Sequence, residues 1–343
     1  MIIVDFSHLA NRNLFVAINT IKPKKINGKF DMTKVMPFFY HLMLNSLIHI
    51  RKLKPDDEII LAIDDRHYWR KEYYPLYKAQ RKGIREESEI DFNVFFEKLN
   101  KFVELLDKCF PYYVIKVENA EADDIIGVLS KQFKNKVIIV TSDKDMKQAL
   151  LYGAKVYDPI KKEYLSLKDD EVKIFKELHY LLGDKSDNIP NVMEESEFTN
   201  EFINYLANNK IYKTKTYEVE SLDIFEKLKQ EFKEKYPDKD IYKKPRFGEK
   251  TALKYINKLD DLFSKNKKIE NNYIRNKKLI NFDEIPNDIV EKIIDEYKNR
   301  QLNYNGDCIF KFLTKFNLRQ HIMNMNEFTL LANNKKENEF FDF

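Results

Sequence analysis

Residues 119–129 read "NAEADDIIGVL". Three acids, Glu121, Asp123 and Asp124, crowd into what the pattern predicts to be the first turn of a helix, because an apolar run at helical spacing follows at once. Acids favour a helix N-terminus, and Asn119 suits the cap position. That covers one or two acids. A third repels the others unless something positive sits among them. The residues just before, "YYVIKVE", are strand-like, so the acids stand where a strand hands over to a helix.

The same handover recurs along the N-terminal half. "MIIVDFS" is a short apolar run ending in Asp5, "EIILAIDD" ends in Asp64 and Asp65, and "KVIIVTSDKD" ends in Asp143 and Asp145. Between these runs lie segments with helical spacing: "TKVMPFFYHLMLNSLIHIRKL", "FNVFFEKLNKFVELLDKCF" (closed by Pro111) and "DIIGVLSKQF". Continuous apolar strands alternating with helices predict an α/β fold, a parallel sheet covered on both faces. In such a sheet, sites form beyond the carboxyl ends of the strands. Each acid taken singly reads as a turn or cap residue. Four strand ends in succession read as one site.

Carboxylates without histidine or cysteine among them suit a hard cation with oxygen ligands, Mg²⁺ with Mn²⁺ able to substitute, and not zinc. So many acids at one site point to two ions. Two metals ~4 Å apart clamp the attacking and leaving oxygens of an in-line displacement at phosphorus. The phosphate also needs a cationic holder. "RHYWRKEYYPLYKAQRKGIR", residues 66–85, follows directly on Asp64 and Asp65. It carries Arg66, Arg70, Lys71, Lys78, Arg81, Lys82 and Arg85 against the single acid Glu72, with Tyr68, Trp69, Tyr73, Tyr74 and Tyr77 interleaved. Cations track phosphates and rings stack on bases, so this stretch reads as a nucleic-acid surface. The plainer reading is a solvated helix face with buried aromatics.

Composition bounds the rest. A chain of 343 residues, 43% hydrophobic and 34% charged, is predicted to be soluble and globular. Net charge is +4, too small to say anything about partners without the distribution above. No run is apolar enough to span a membrane, and "MIIVDFSHLA" does not read as a signal peptide. Cys109 and Cys308, far apart in sequence, give neither a disulfide framework nor a zinc cluster, and a reducing cytoplasm is the expected compartment.

Past Leu151 the pattern changes. "YGAKVYDPIKKEYLSL" predicts a hairpin or short strands. "FKELHYLLGDKSDNIPNV" predicts a helix running into a tight turn that carries Asp184 and Asp187. Residues from about 193 to 245 are polar, with weak apolar periodicity, and read as a long insertion, partly helical. "RFGEKTALKYINKL" resumes a helix behind Gly248, and the chain to about residue 329 reads as mostly helical. A Gly ahead of a helix can offer backbone N–H groups to a phosphate.

The ordered set "VDFSH", "AIDD", "YKAQRK", "AEADD", "TSDKD" and "GDKSDNIPNV…GEKTA" resembles the flap-endonuclease-like 5′-3′ nucleases, which include the 5′ nuclease domains of bacterial DNA polymerases and phage exonucleases. "YWRK", "RKGIREES" and "INFDEIPNDIV" are further similar to the phage ribonuclease H branch of that family. The likeness covers about residues 1–300. It implies an α/β nuclease domain over 1–182 with a basic helical arch at about 66–95. A helical DNA-binding region with a modified helix-hairpin-helix element follows over 183–329, then a tail over 330–343. It implies a Mg²⁺-dependent enzyme that cuts near 5′ junctions of branched or nicked DNA and RNA–DNA hybrids, removing RNA primers and adjacent DNA during lagging-strand replication. Carried over by motif, Asp5, Asp64, Glu121 and Asp123 look like ligands of a first metal. Asp143 and Asp145 look like ligands shared with or belonging to a second, with Asp124, Asp184 and Asp187 completing the cluster. Lys78 and Arg81 match the arch residues that meet the scissile phosphate, with Lys78 stabilising charge in the transition state.

The resemblance breaks at one place. "PNVMEES" stands where the family has a short Gly-rich hairpin, and "GEKTA" arrives only after the insertion, so Gly248 and Lys250 are expected to align with the second half of that element. The ending "NEFFDF" resembles the aromatic-acidic peptides by which phage replication proteins dock on a sliding clamp, here through Phe340, Phe341 and Phe343. A single-strand-binding protein is the other implied partner, a monomer the implied state, and an infected bacterial cytoplasm the implied location. Two competing readings are a PIN-type ribonuclease, which lacks the arch and the "GDKSDNIP" element, and a non-catalytic binder of branched nucleic acid. A small-molecule phosphatase has no use for the basic aromatic stretch.

Overall fold

The computed structural model describes residues 1–195, 197–208 and 222–328. The expected clamp-binding peptide, with Phe340, Phe341 and Phe343, lies outside the described residues, as does the middle of the insertion. The chain divides into two compact units, Met1–Lys173 with Phe282–Phe343, and Ile174–Asn281.

The first unit is built on a six-stranded sheet. In chain order its first half runs β1 (Ile2–Asp5), α1 (Phe6–Ile21), the hairpin β2 (Lys25–Ile26) and β3 (Lys29–Phe30), α2 (Met32–Arg51) and β4 (Ile59–Ile63). It continues through α3 (Trp69–Tyr73), α4 (Gln80–Glu87), α5 (Phe92–Cys109), β5 (Tyr113–Lys116), α6 (Ala122–Phe133), β6 (Ile138–Val140), β7 (Lys155–Asp158) and β8 (Glu163–Tyr164). Sheet order is β5-β4-β1-β6-β7-β8, parallel throughout except for β8, which returns antiparallel on β7. The expected hairpin after Leu151 is therefore the antiparallel edge of the sheet.

Alternation along the strands explains why both faces are covered. Ile2, Val4, Ile59 and Leu61 point into one buried cluster with α1, α2 and α5, while Ile3, Ile60 and Ala62 point into another with α6. A strand buried on both faces has no polar side to show in its sequence, and hence reads as a continuous apolar run. β1 is the centre of the sheet, with β4 on one side and β6 on the other. The direction of winding reverses there, and Asp5 is the last residue of β1.

Two expectations are corrected in this unit. The helical region predicted as one block over 183–329 is split. α7 (Asp169–Leu182), α8 (Asn200–Asn208), α9 (Leu222–Lys235), α10 (Glu249–Ala252), α11 (Leu259–Phe263) and α12 (Lys267–Ile280) come first, and then the chain returns to the sheet. Ile289 and Ile293 of α13 (Asn287–Asn299) close the α6 side, and Ile309 and Leu313 of α14 (Gly306–Lys315) close the other. The boundary near residue 182 thus moves into α7, because the apolar faces of α13 and α14 belong to the sheet layers. Cys109 and Cys308, read from sequence as giving no disulfide framework, form a disulfide. Their separation of 199 residues hid the pairing, since only the return of α14 onto α5 brings them together.

The second unit holds two smaller cores. Leu181, Val192, Ala252, Leu262 and Ile269 form one, with Asn276, fully buried, tying Tyr180 and Pro190 by donating to both carbonyls. Phe202 and Leu206 of α8 pack with Leu228 and Phe232 of α9 in the other. Among the described side chains, the fully buried contribution is one i, i+4 pair from each helix, which gives weak periodicity in sequence.

Candidate active site

Beyond the carboxyl ends of β1, β4 and β6, the expected carboxylates of the first unit converge. Asp5 is 4% exposed and caps α1 by accepting from the His8 N–H at 3.0 Å. Its other oxygen accepts from the Thr141 hydroxyl at 3.0 Å, and Thr141 Oγ1 in turn accepts from the Asp143 N–H at 3.0 Å. Asp143 then accepts from the Asp145 N–H at 2.9 Å, so one short polar chain aligns the ends of β1 and β6. Asp64, past the end of β4, accepts from the Ala122 N–H at 2.7 Å and ties that strand to the start of α6. Thr141 was not singled out from sequence, although a hydroxyl two residues ahead of Asp143 was the available signal.

The electrostatics are those of like charges held close. Burial, then the neighbouring Asp64 and Asp143, push the Asp5 carboxyl up to about 6 against the pull of the His8 contacts. Asp123 is pushed well above the usual carboxylate range by desolvation, by Asp143 and by Asp5, which together outweigh the opposing charge of Lys78. Oxygen-only donors that repel one another this strongly fit a hard divalent cation, which would remove both penalties at once.

The three acids of the opening stretch take different parts. Glu121 is 3% exposed and is held below the usual range: burial acts against ionisation, but Lys78 and Arg70 override it. Its Oε1 accepts from Lys78 Nζ at 2.6 Å, and its Oε2 accepts from Arg70 at 3.0 Å and from the Tyr77 hydroxyl at 3.1 Å. Asp124, fully buried, is pushed up by desolvation and pulled back by Arg70, which meets both of its oxygens. It also accepts from Trp69 Nε1 at 3.2 Å and from the Glu121 N–H at 2.9 Å, closing a capping box on α6. Asp124, expected among the metal ligands, thus meets Arg70 with both oxygens and holds the start of α6.

Two residues expected on the nucleic-acid surface are largely covered, although Tyr77 still lines the cleft described below. Arg70 is 3% exposed and Tyr77 3% exposed. Arg70 bridges Glu121 and Asp124 and stacks on Trp69, with its guanidinium centre 4.5 Å from the ring. It neutralises two of the three acids, Glu121 and Asp124, and Lys78 also meets Glu121. Asp65 is turned aside as well, accepting from the Asn119 N–H at 3.2 Å and pairing with Lys116.

The rest of the basic stretch does form a surface. Tyr68, Lys71, Tyr77, Lys78, Arg81, Lys82 and Arg85 line a cleft of about 800 Å³ together with Lys29 and Phe96. Lys71 lies 4.5 Å over the Tyr68 ring and Arg85 5.1 Å over Phe96. Arg66 is exposed beside this stretch. Lys78 adopts φ 54°, left-handed backbone that costs a side-chain-bearing residue roughly 1 kcal/mol, and in this way its ammonium is aimed at Glu121 instead of solvent. Lys29, on the β2–β3 hairpin, is a cationic cleft residue that sequence reading missed, and Phe96 is an aromatic one.

The remaining expected residues lie in the second unit. Asp184, 4% exposed, accepts from the Ser186 N–H and hydroxyl through one oxygen, and its other oxygen is 3.0 Å from His179 Nε2 of α7. Asp187 ends the short 3₁₀ turn Lys185–Asp187 and is half-buried. Gly248 and Lys250 are exposed at the start of α10, which is only four residues long.

A mostly parallel sheet whose strands end in acids, together with a cleft lined by cations of residues 71–85, accords with a resolvase-like nuclease domain. The chain belongs to the 5′-3′ exonuclease family, whose N-terminal resolvase-like domain matches residues 1–177. It is thereby a phosphodiester hydrolase of the 5′-3′ nuclease kind. It is 28% identical to the ribonuclease H of Enterobacteria phage T4 over 335 residues, covering 95% of each chain. It is 31% identical to DNA polymerase I of Chloroflexus aurantiacus over 211 residues, 56% of this chain but 20% of the polymerase. Its fold is similar to the phage T5 flap endonuclease in a pseudo-enzyme–product complex with DNA and metal ions, with TM-score 0.50, 21% identity, and coverage of 87% of this chain and 97% of that one. Among the described residues, no helix is long and apolar enough to cross a membrane.

Proposed function

We propose that this protein is a Mg²⁺-dependent nuclease of the ribonuclease H and flap endonuclease type, removing RNA primers and adjacent DNA from 5′ ends at branched or nicked junctions. The observation that carries it is the convergence of Asp5, Asp64, Asp123 and Asp143 beneath a cleft whose cations end at Lys78. Asp5, Asp64, Glu121, Asp123, Asp143 and Asp145 would hold two ions. Bound there, a divalent cation supplies charge neutralisation and Lewis acidity at the scissile phosphate.

The chain's own residues supply the rest. Arg81, Lys82 and Arg85, with Lys71 and Arg66, draw the phosphates along the cleft, and the exposed Lys250 serves duplex contacts elsewhere on the chain. Tyr68 offers a ring for a base. Lys78 donates to a non-bridging phosphate oxygen as charge develops there, through one of the ammonium hydrogens that Glu121 does not use. Arg70 keeps Glu121 in place. A 5′ junction is the natural substrate, because one strand has to enter the arch singly while its partner stays paired outside.

The test is cleavage of 5′- and 3′-labelled substrates: an RNA–DNA hybrid, a nicked duplex and a 5′ flap, each with Mg²⁺ and with chelator. Short 5′ products formed only with metal are expected. Tight binding of the branched substrates without cleavage would replace this reading with that of a non-catalytic binder.

A further inference from the structure

We propose that the groove between α5 and α14 is the docking site for this chain's own C-terminal segment, residues 329–343. The groove encloses about 680 Å³ and shares no lining residue with the cleft at the arch. Its floor is aromatic: Tyr40, 3% exposed, meets Phe316 at 4.8 Å and Phe312 at 5.2 Å between ring centres. Its rim is cationic, with Lys98, Lys101, Lys311 and Lys315 against Asp307. Lys101 pairs with Glu97 on an exposed turn of α5, a contact that a better-placed acid exchanges at little cost.

An apolar cavity ringed by ammonium groups takes an acidic segment with bulky apolar side chains. Residues 337–343, "ENEFFDF", have that composition: Glu337, Glu339 and Asp342 alternate with Phe340, Phe341 and Phe343. The segment also starts in the right place. Phe328 packs on Phe110 at 5.1 Å, and Phe110 on Phe312 at 6.5 Å, so the chain leaves the core two ring contacts from the groove floor. Residues 329–336 extend over up to ~25 Å, more than that distance requires. So short a tether gives an effective concentration of about 1 mM, enough to fill ~90% of a site whose affinity in trans is only about 100 μM. A single nucleic-acid strand fits less well. It needs open ring faces, whereas these rings meet one another edge to face and Tyr40 is buried. A partner that binds this aromatic-acidic segment would have to displace it from the groove.

Hydrogen exchange in the full chain tests the proposal. Three chains are compared: the wild type, one ending at Phe328, and a full-length chain with Phe340→Ala, Phe341→Ala and Phe343→Ala. Amides of residues 98–105 and 308–316 are expected to exchange about fivefold or more faster in both variants. A synthetic 329–343 peptide should restore protection to the truncated chain, and 0.5 M salt should weaken it. Replacing Lys98, Lys311 and Lys315 by Glu in the full chain should reproduce the truncation. Equal exchange in all three chains would overturn the proposal. So would protection of these amides by a single-stranded oligonucleotide but not by the peptide, or protection that requires a second copy of the chain.

Discussion

At the residue scale the site is organised by one buried guanidinium. Arg70 satisfies Glu121 and Asp124 together, and Trp69 covers it. Removing it leaves two carboxylates in a desolvated place with only Lys78 nearby. Arg70→Met is expected to lower folding stability by about 3–5 kcal/mol, measured by urea unfolding of the metal-free protein. A loss under ~1 kcal/mol would mean that the pair is not buried as described. This arrangement was only half legible in sequence. The acids and their need for a cation were visible at 119–129. That Arg70, fifty residues earlier, is the cation was not, because a basic aromatic stretch looks the same whether one of its arginines faces DNA or the core. A second prediction concerns pH. The Asp5 carboxyl sits at about 6 in the fold, above its ordinary value, so the folded metal-free protein holds that proton more tightly than the unfolded chain does. The resulting stabilisation is complete below about pH 4 and is lost as pH rises through 6. Asp5→Asn should therefore be more stable than wild type by roughly 2–3 kcal/mol at pH 7 without metal, with the difference vanishing near pH 4. A constant difference across that range in thermal melts would contradict it.

At the element scale, strands and helices of the N-terminal half were readable because their apolar runs are unbroken and each ends in an acid. The returns of α13 and α14 to the sheet were not readable, since amphipathic spacing shows that a helix has a buried face but not what covers it. Gly127 marks one such return. A Cβ at this position on α6 would stand 2.9 Å from the Phe282 ring, just before α13. Gly127→Val is expected to cost about 2 kcal/mol or more through overpacking, and adding Phe282→Leu to Gly127→Val should recover part of that loss. Failure of the pair to recover would show that the close approach is unimportant. The turn at Gly183 is stricter. Its φ is +67° and a Cβ there would lie 2.3 Å from the Ile189 carbonyl oxygen, so Gly183→Ala should unfold the Asp184 loop, seen as loss of amide protection over 183–192.

At the scale of the whole molecule, the division of labour is between a sheet that gathers acids and an arch that gathers cations. The two have opposite charge and adjoin one another through Lys78 and Glu121. Arg81→Ala with Lys82→Ala and Arg85→Ala should therefore raise KM for a 5′ flap at least ~10-fold and flatten the salt dependence of binding, while leaving the single-turnover rate at saturation within a few-fold. The acids should behave in the opposite way. The most direct test of the central claim is the single-turnover rate of 5′ cleavage by Asp143→Asn at saturating substrate across a Mg²⁺ titration. A fall of about 10³-fold or more, with substrate affinity retained and no recovery at high Mg²⁺, is the predicted result. Cleavage within about tenfold of wild type would mean that the carboxylates converging beyond β1, β4 and β6 do not carry the reaction.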